Sequence, residues 1–544
     1  MPVTQDHFMP ITYDNPQPLK SDNAQPLKVN VKVHVKVHDS FADVGDPTRD
    51  YFFQSRKVSA EFRRSVEAVC PRAFTKTRDA YFCVRLLQYL MFPSLFQQGT
   101  TRIVVPCRTL AVLDGRPWTK NYRAIDRLHA FEKLTGIALN IGPWDYEHGR
   151  ARTVQPEWPE ALIAARDAEL ALVGKQQSRV YFDSGEPYGR SKRTVREKSD
   201  FDDLRLKLIS LVPESHPQRF ILELLNTQPN GALKKAIKRN LAAACQIMHE
   251  MPVATASERL SKEWAMAVLD SVSVDCGMAY RVGTKTARCF AVGITLHSLP
   301  REIRKQLLSG FVTLDLKSAQ LAIAARVWEI PELQARLERG NHWAMLQNEL
   351  GTAAAQKPAL KTATYALLFG KSYHGQGPKD EISGVVHDLA VELGETAAAR
   401  DIARRFGEHR VIQLLAQARK RRMARVAKED GLRTVFGKEI RVPSSESVKP
   451  GTSKYHSEMR SALAEELQAY EQHLMLPALQ VAAARRGVTV VSYLHDGLTL
   501  NFEDTNRKSA IILAMKAGVS ELARQLGVQT ELEEEEQTTS LNSW

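Results

Sequence analysis

Two aspartates in short apolar runs most constrain what this chain can fold into. FVTLDL, at 311–316, alternates apolar and polar residues and predicts a β-strand with Asp315 near its end. VTVVSYLHDGLTLNF, at 488–502, predicts two strands joined by a tight turn that Gly497 permits, with Asp496 at the apex. Taken singly, each aspartate is more often a cap or turn residue. Together they could hold a pair of magnesium ions.

A lysine-bearing helical pattern, KPALKTATYALLFGKSYHG at 357–375, lies between these two runs. Four-residue spacing places Lys357 and Lys361 on one face, and Tyr365 and Phe369 continue that face. The two ammonium groups could grip a triphosphate, and the two rings could lie beside a base and a sugar. An ordinary amphipathic helix has the same spacing, so the pattern gains its meaning from the aspartates around it.

The composition is that of a globular protein with an excess of basic residues. The 544 residues are 43% hydrophobic and 25% charged, enough for about two to four domains, and the formal net charge is +13. This charge fits a polyanionic partner and a merely solvated surface equally well. The six cysteines form no C-x-x-C pair, which favours reduced thiols over a zinc site or a disulfide framework. The sequence shows no signal pattern and no long apolar run, so the expected location is the cytoplasm of a bacterial or host cell.

The order of predicted elements in the amino-terminal part suggests a small domain. These elements are helices at 57–70 and 77–92, a strand and short helix at 101–113, a helix at 120–136 and a hairpin at 137–154. Helix, helix, hairpin is the order of a winged helix-turn-helix domain, which commonly binds DNA. A helical domain that only packs against the rest of the chain is the alternative.

The three central patterns together resemble the palm and fingers of the A-family DNA polymerases. LDLKSAQLA is similar to the first palm motif, with Asp315 as the metal-binding aspartate, and YLHDGLTL is similar to the third, with His495 and Asp496 as the His-Asp pair. KPALKTATYALLFG resembles the fingers-helix motif. The residues that fall on its positions are Lys361, Tyr365, Phe369 and Gly370, whereas Lys357 stands where an arginine is usual.

Weaker resemblances appear in the same order along residues 280–505. TARCF is similar to a thumb-proximal segment whose arginine is Arg288, and RGNHWAML is similar to a segment whose histidine, here His342, contacts the incoming phosphates. Residues 406–444 resemble the long helix and hairpin that follow the fingers helix.

The resemblance implies primer extension by two-metal phosphoryl transfer. Asp315, Asp496 and the carbonyl of Leu316 would hold two Mg²⁺ ions, for which Mn²⁺ could substitute. Lys361 would contact the phosphates and could protonate the leaving group. The remaining implied contacts are Lys357 and His342 with phosphates, Tyr365 with the sugar and base, Phe369 with the nascent pair, and Arg288, Gly370 and His495 with primer and template.

Besides Lys357, two positions depart from the family pattern, Gln320 and Gly497. Gln320 replaces the glutamate that blocks a ribonucleotide 2′-hydroxyl, and its similar size preserves the steric block. The related single-subunit RNA polymerases have a tyrosine where this chain has Phe369, and a phenyl ring cannot recognise a 2′-hydroxyl. Both features favour deoxynucleotides. Gly497 replaces the acidic residue that usually follows the His-Asp pair. The region before residue 280 contains no D-x-E set that would support a proofreading exonuclease.

The expected fold is therefore α+β: a right-hand polymerase of palm, fingers and thumb behind a mostly helical, winged-helix-like domain. The expected units are a disordered or extended segment (1–50, with one candidate edge strand at 29–38), the helical domain (51–173), a basic linker (174–203), a thumb-like helical region (204–280), palm and fingers (281–527) and an acidic tail (528–544). The expected partners are primer-template DNA, dNTPs and other replication proteins bound through the tail, with no membrane.

Two alternatives to a phage, plasmid or mobile-element DNA polymerase stay open. One is a single-subunit RNA polymerase or primase-like enzyme. The other is a non-catalytic DNA-binding replication protein built on a decayed polymerase, which the loss of the acidic residue at Gly497 motivates. The acidic tail is either a solubilising end or a DNA mimic that occupies the basic channel.

Overall fold

The computed structural model describes twelve stretches of the chain: 56–92, 103–114, 123–145, 151–173, 178–188, 192–253, 256–274, 276–283, 286–292, 295–372, 384–445 and 448–535. The predicted segment 1–50, with its candidate edge strand, lies outside them. Within these stretches, every helix is too short or too polar to span a bilayer. The described part is a mixture of helices and short strands.

The described residues between 56 and 188, called the amino-terminal module here, are arranged around one hydrophobic core. In chain order the elements are β1 (Lys57–Ser59), α1 (Ala60–Val69), α2 (Arg78–Met91), β2 (Ile103–Pro106), α3 (Cys107–Leu113), α4 (Ala124–Thr135), β3 (Trp144–Asp145), β4 (Ala151–Val154), α5 (Glu160–Ala171) and β5 (Arg179–Tyr181). Strands β2, β4 and β3 form an antiparallel sheet in that order. The core gathers apolar side chains from every helix of the module and from β2 and β4.

The predicted elements of this module are present, with two corrections. The helix predicted at 120–136 is α4, which ends at Gly136 with a left-handed φ of 76°. The segment predicted to be a linker, 174–203, instead contains β5 and the start of the next helix. Strand β5 pairs with β1, Val58 opposite Val180, which also makes 57–59 a strand rather than a helical start. Phe182 and Val180 explain the difference, because they pack into the module core and hold this polar stretch against it.

A buried ionic network joins the amino-terminal module to the helices that follow. Arg179 donates to Asp270 at 2.5 and 3.0 Å and to Glu169 at 3.1 Å. Glu169 also accepts from the Ser59 hydroxyl at 2.5 Å, and Arg56 donates to Asp270 at 3.3 Å. Both carboxylates are fully buried. Because buried charges must be paired to be tolerated, the network fixes one docking geometry for the module.

Four helices and a hairpin follow the module: α6 (Lys192–Ser210), α7 (Arg219–Thr227), α8 (Gly231–Glu250), α9 (Ala256–Val274), β6 (Tyr280–Val282) and β7 (Cys289–Ala291). The first of these helices begins at Lys192, before the start of the region predicted to be helical at 204–280. Asp270 of the ionic network lies on α9, so this helix carries the docked module.

The carboxyl-terminal half is organised around a four-stranded antiparallel sheet in the order β11-β12-β8-β13. Its strands are β8 (Val312–Leu316), β11 (Val488–Leu494), β12 (Gly497–Phe502) and β13 (Leu532–Glu534). Helix α10 (Arg301–Leu307) precedes the sheet. The helices between β8 and β11 are α11 (Ala319–Val327), α12 (Pro331–Glu338), α13 (His342–Leu350), α14 (Lys357–Leu368), α15 (Val385–Glu392), α16 (Ala397–Glu408), α17 (Arg410–Lys428) and, after the hairpin β9 (Gly431–Arg433) and β10 (Glu439–Arg441), the long α18 (Ser453–Ala484). Helix α19 (Lys508–Leu526) connects β12 to β13.

The first part of the predicted acidic tail, 528–544, forms regular structure, because 532–534 are the edge strand β13. Leu532 is buried in the main core, which anchors a stretch that otherwise consists of glutamates. Lys317 binds Glu531 and Glu533, at 2.9 and 2.7 Å. Lysines outside the strands, Lys305, Lys317 and Lys508, thus stabilise a run of like charges. Residues 536–544 lie outside the described part.

Candidate active site

Strand register brings the two predicted aspartates together. Asp315 pairs with Gly497 across β8 and β12, and the amide of Leu316 donates to the carbonyl of Asp496 at 3.0 Å. Asp496 therefore lies at the tip of the β11–β12 hairpin, beside the end of β8. Since the N–H and C=O of one strand residue point to the same edge, the Leu316 carbonyl also faces this tip.

The turn at this tip differs from the one predicted. Leu494 pairs with Gly497, so the turn residues are His495 and Asp496, and His495 takes the left-handed conformation with φ 57°. Gly497 is needed for another reason: a Cβ at this position would lie 3.1 Å from the Asp315 Oδ1. The absence of a side chain at 497 therefore leaves room for the carboxylate beside it.

The aspartate pair is electrostatically unfavourable without a cation. Burial, followed by repulsion from Asp496, raises the pKa of Asp315 to about 8, although its side chain keeps an exposed edge. Burial also raises the pKa of Asp496. Lys361 opposes both shifts. Two carboxylates whose pKa values are both raised would be stabilised by a bound metal ion as well as by a proton.

The lysine-bearing helix α14 faces the aspartates. Lys361 is half-buried and lies 5.8 Å from the centre of the Trp343 ring. Burial, then repulsion from Lys357, lowers the pKa of Lys361. Tyr365 stacks edge-on against Trp343 at 6.2 Å, and burial, then the charges of Asp496, Glu471 and Asp315, raises its pKa. The structure thus groups Lys361 and Tyr365 with the aspartates, and Lys357 is exposed one turn away.

The carboxyl end of α14 is held by two arginines. The Arg419 guanidinium donates to the carbonyls of Leu367 at 2.6 Å and Lys371 at 3.3 Å, which caps the helix. Gly370 has a φ of 108°, and a Cβ there would lie 2.2 Å from the Arg460 Cδ. Only glycine fits this close approach with that backbone conformation. Phe369, just before it, is 37% exposed and presents its ring at the surface.

Sequence reasoning missed Glu471, a buried carboxylate on α18 beside the aspartate pair. It accepts from Arg288 at 2.7 and 3.0 Å and from the side-chain amide of Gln320. Burial raises the pKa of Glu471, and Arg288 opposes the shift. Arg288 and Gln320, predicted to touch primer and sugar, are therefore tied to a protein carboxylate. The only sequence signal was a cluster of polar residues, AEELQAYEQ, inside a helix that is otherwise rich in apolar residues.

The two predicted histidines lie in the interior of the site rather than on its surface. His342 is 3% exposed, its ring stacks on Trp343 at 4.9 Å, and neither ring nitrogen has a partner within the described stretches. Burial, then the charge of Arg336, lowers the pKa of His342 to about 4. His495 stacks on Phe290 at 5.4 Å, and burial lowers its pKa to about 4 as well. Both imidazoles are therefore neutral near pH 7.

Comparisons with known proteins add little to this geometry. No protein-family model matches the sequence, and no curated protein matches it. Among solved structures, the chain is similar to the POL domain of Pol1 from M. smegmatis in complex with DNA primer-template and dNTP. The identity is 14% and the TM-score 0.41, over 63% of this chain and 73% of that chain. A similarity of this size does not identify the function of the chain.

Proposed function

We propose that this protein is a template-directed DNA polymerase that extends a primer 3′ end by nucleotidyl transfer. The observation that carries the proposal is the meeting of Asp315 and Asp496 at one end of a sheet, opposite the lysine face of α14. Two carboxylates bind divalent metals, and a neighbouring ammonium group binds phosphate. Phosphoryl transfer requires both kinds of group around one reacting centre.

The donor set fits Mg²⁺. Asp315 and Asp496 supply carboxylate oxygens, and the Leu316 carbonyl faces the same edge, so all donors are hard oxygen ligands. The raised pKa values of the two aspartates mark an uncompensated negative charge. Two bound Mg²⁺ ions would supply an activated primer hydroxyl and neutralise the triphosphate. Mn²⁺ would satisfy the same ligands.

The side chains of α14 would bind and position the incoming nucleotide. Lys361, whose pKa is lowered by burial, would hold a phosphate and release its proton to the leaving group more readily than an exposed lysine. Exposed Lys357 would add charge to the outer phosphates. Tyr365 would lie against the sugar and base, and the exposed Phe369 ring would pack on the nascent pair.

The remaining predicted residues would support or complete these contacts. Glu471 orients Arg288 and Gln320, which would place the arginine toward the primer and the amide toward the sugar. His342 would support the phosphate site through Trp343, on which it stacks. His495 and Gly370 would shape the backbone where primer and template pass. The retained bulk of Gln320 and the phenyl ring of Phe369 favour dNTPs.

One observation favours a second candidate, a single-subunit RNA polymerase or primase-like enzyme. The Gln320 amide nitrogen is committed to Glu471, which leaves the amide oxygen buried without a partner in the described part. A buried acceptor without a donor is unfavourable by about 1–3 kcal/mol. A ribose 2′-hydroxyl could supply that donor.

Primer extension separates these proposals. The full chain with Mg²⁺ is given a primed template with dNTPs or with NTPs, and an unprimed template with NTPs. We expect primer-dependent incorporation of dNTPs, and a loss of at least about 10²-fold in Asp315→Asn and Asp496→Asn. Asp203→Asn, an exposed aspartate on α6, is the matched control. Unprimed synthesis from NTPs would establish the second candidate instead, and duplex binding without any incorporation would leave the non-catalytic alternative.

A further inference from the structure

The amino-terminal module has the connectivity and strand order of a winged helix. After α2 come β2, α3, α4 and the hairpin β3–β4, and the last strand lies in the middle of the sheet. In helix-turn-helix units the second helix of the pair, here α4, enters the major groove of DNA. We propose that the module binds duplex DNA sequence-specifically through α4, at a site separate from the candidate active site.

Helix α4 is held rigidly, as a helix that recognises DNA bases must be. Leu128 and Phe131 are fully buried in the module core. Arg127 ion-pairs with Asp79 at the start of α2, at 2.7 Å, and with Asp114 after α3, at 2.8 Å. These contacts tie α4 to both preceding helices, so its opposite face is presented in one fixed orientation.

The opposite face of α4 carries side chains that can read base edges. His129 is 61% exposed, Ile125 and Lys133 are also exposed along this face, and Arg123, which is 80% exposed, lies just before the amino end of the helix. Arginine recognises guanine, and an apolar side chain contacts the thymine methyl group. Arg123 and His129 bind acidic residues of the same helix, Asp126 and Glu132, both at 2.8 Å. These local pairs pre-orient the side chains and keep the face nearly neutral, which limits unspecific binding.

Unpaired cations flank this face where a DNA backbone would pass. Arg72, Lys76 and Arg78 are all exposed around the turn into α2, and within the described part none of them has an ion-pair partner. The 3-10 turn Pro71–Phe74 packs against α4, so these cations lie beside the reading face. The 14-residue helix α2 begins among them, and its amino end adds a partial positive charge. Phosphate contacts of this kind orient a protein on the duplex without reading its sequence.

The buried ionic network gives this duplex site a fixed place in the molecule. Arg179 and Asp270 lock the module to α9, so a duplex bound on α4 would be held at a constant distance from the carboxyl-terminal half. If the proposed polymerase activity holds, sequence reading would direct synthesis to chosen start sites.

Selection from a random duplex pool tests the proposal. The full chain is mixed with blunt duplexes in EDTA, without nucleotides, so the assay does not depend on synthesis and a failed polymerase proposal does not affect it. We expect one enriched motif, bound at least about tenfold more tightly than a scrambled duplex. The double variant Arg123→Ala/His129→Ala should abolish that preference. Lys76→Ala and Arg78→Ala should weaken both duplexes equally and reduce the salt dependence by about one phosphate contact each.

Arg64→Ala, an exposed arginine on α1, removes the same charge elsewhere and should change neither affinity nor preference. Thermal melting of each variant shows whether it is folded. Enrichment of no motif would overturn the proposal. A motif preference that survives Arg123→Ala/His129→Ala in a folded variant would also overturn it, because α4 would then not be the reading element.

Discussion

The carboxylates of the amino-terminal interface and those of the carboxyl-terminal sheet lie under opposite electrostatic conditions: the first are fully buried and paired, and the second are partly exposed and face each other. In the module interface, Asp270 and Glu169 share one arginine and accept further hydrogen bonds. In the sheet, Asp315 faces Asp496; burial raises the pKa of both aspartates, and repulsion from Asp496 raises that of Asp315 further. The same chain thus contains one satisfied set of buried charges and one unsatisfied set.

The difference separates structure from function. A satisfied buried network fixes geometry, because removing either partner leaves an unpaired charge. A pair of like charges without a partner does not stabilise the fold. Such a pair is tolerated where a ligand supplies the opposite charge. The comparison predicts that the same substitution, Asp to Asn, will have opposite effects on stability in the two places.

The largest stability effect is expected in the module interface. Asp270→Asn removes the charge that balances Arg179 and Arg56, and should lower the free energy of unfolding by about 3–5 kcal/mol. Urea unfolding of the full chain, with Asp203→Asn as the control, measures it. A loss below about 1 kcal/mol would mean that the network does not hold the interface.

In the sheet, Asp315→Asn should raise the free energy of unfolding by about 1 kcal/mol at pH 7 in EDTA, because it removes repulsion from Asp496. The effect is small because the exposed edge of Asp315 is screened by water. Since burial and repulsion raise the folded-state pKa to about 8, the wild-type chain binds an extra proton when folded, and this contribution to stability falls as the pH rises from about 4 to 8. Over that pH range, the free energy of unfolding should vary less with pH in the variant than in the wild-type chain. A variant that is less stable at every pH would contradict the repulsion.

Space beside Asp315 is expected to affect catalysis more than folding. Gly497→Ala places a Cβ 3.1 Å from the Asp315 Oδ1 and should lower incorporation about tenfold, or 1.4 kcal/mol, with little change in melting temperature. Gly231→Ala, where a Cβ meets nothing within 4 Å, is the control. Single-nucleotide incorporation measures the effect. Unchanged incorporation would show that the carboxylate does not need this space.

The smallest effect is expected on the exposed edge strand. Glu533 pairs with Lys317 at 2.7 Å but is about half exposed, so Glu533→Gln should change the free energy of unfolding by less than about 0.5 kcal/mol. Urea unfolding alongside Asp270→Asn completes the comparison. A loss as large as that of Asp270→Asn would mean that the stabilisation from an ion pair does not depend on its exposure to solvent.

Much of this architecture could be predicted from the sequence because the signals are local. The alternation around Asp315, the two strands around Asp496 and the helical spacing from Lys357 to Phe369 each identify an element, and the structure places them where predicted. Gly136 ends α4 as expected, because only glycine readily takes the left-handed conformation there.

The rest depended on contacts between distant residues. Glu471 has only a weak local signal, the polar cluster around it, since its role comes from Arg288 and Gln320 far away in the chain. Strand β5 looked like a polar linker because its partner β1 lies more than a hundred residues earlier. The need for Gly497 became visible only once β8 was paired with β12, because the crowding comes from the neighbouring strand.

The most direct test of the account is single-turnover incorporation of one dNTP by the Asp315→Asn, Asp496→Asn and double variants. If the two aspartates form one metal site, either single substitution removes most of the catalysis and the double variant is no slower than the slower single variant. The account predicts a loss of at least about 10²-fold in each, with Asp203→Asn unchanged. A single variant that keeps more than about a tenth of the wild-type rate would contradict it.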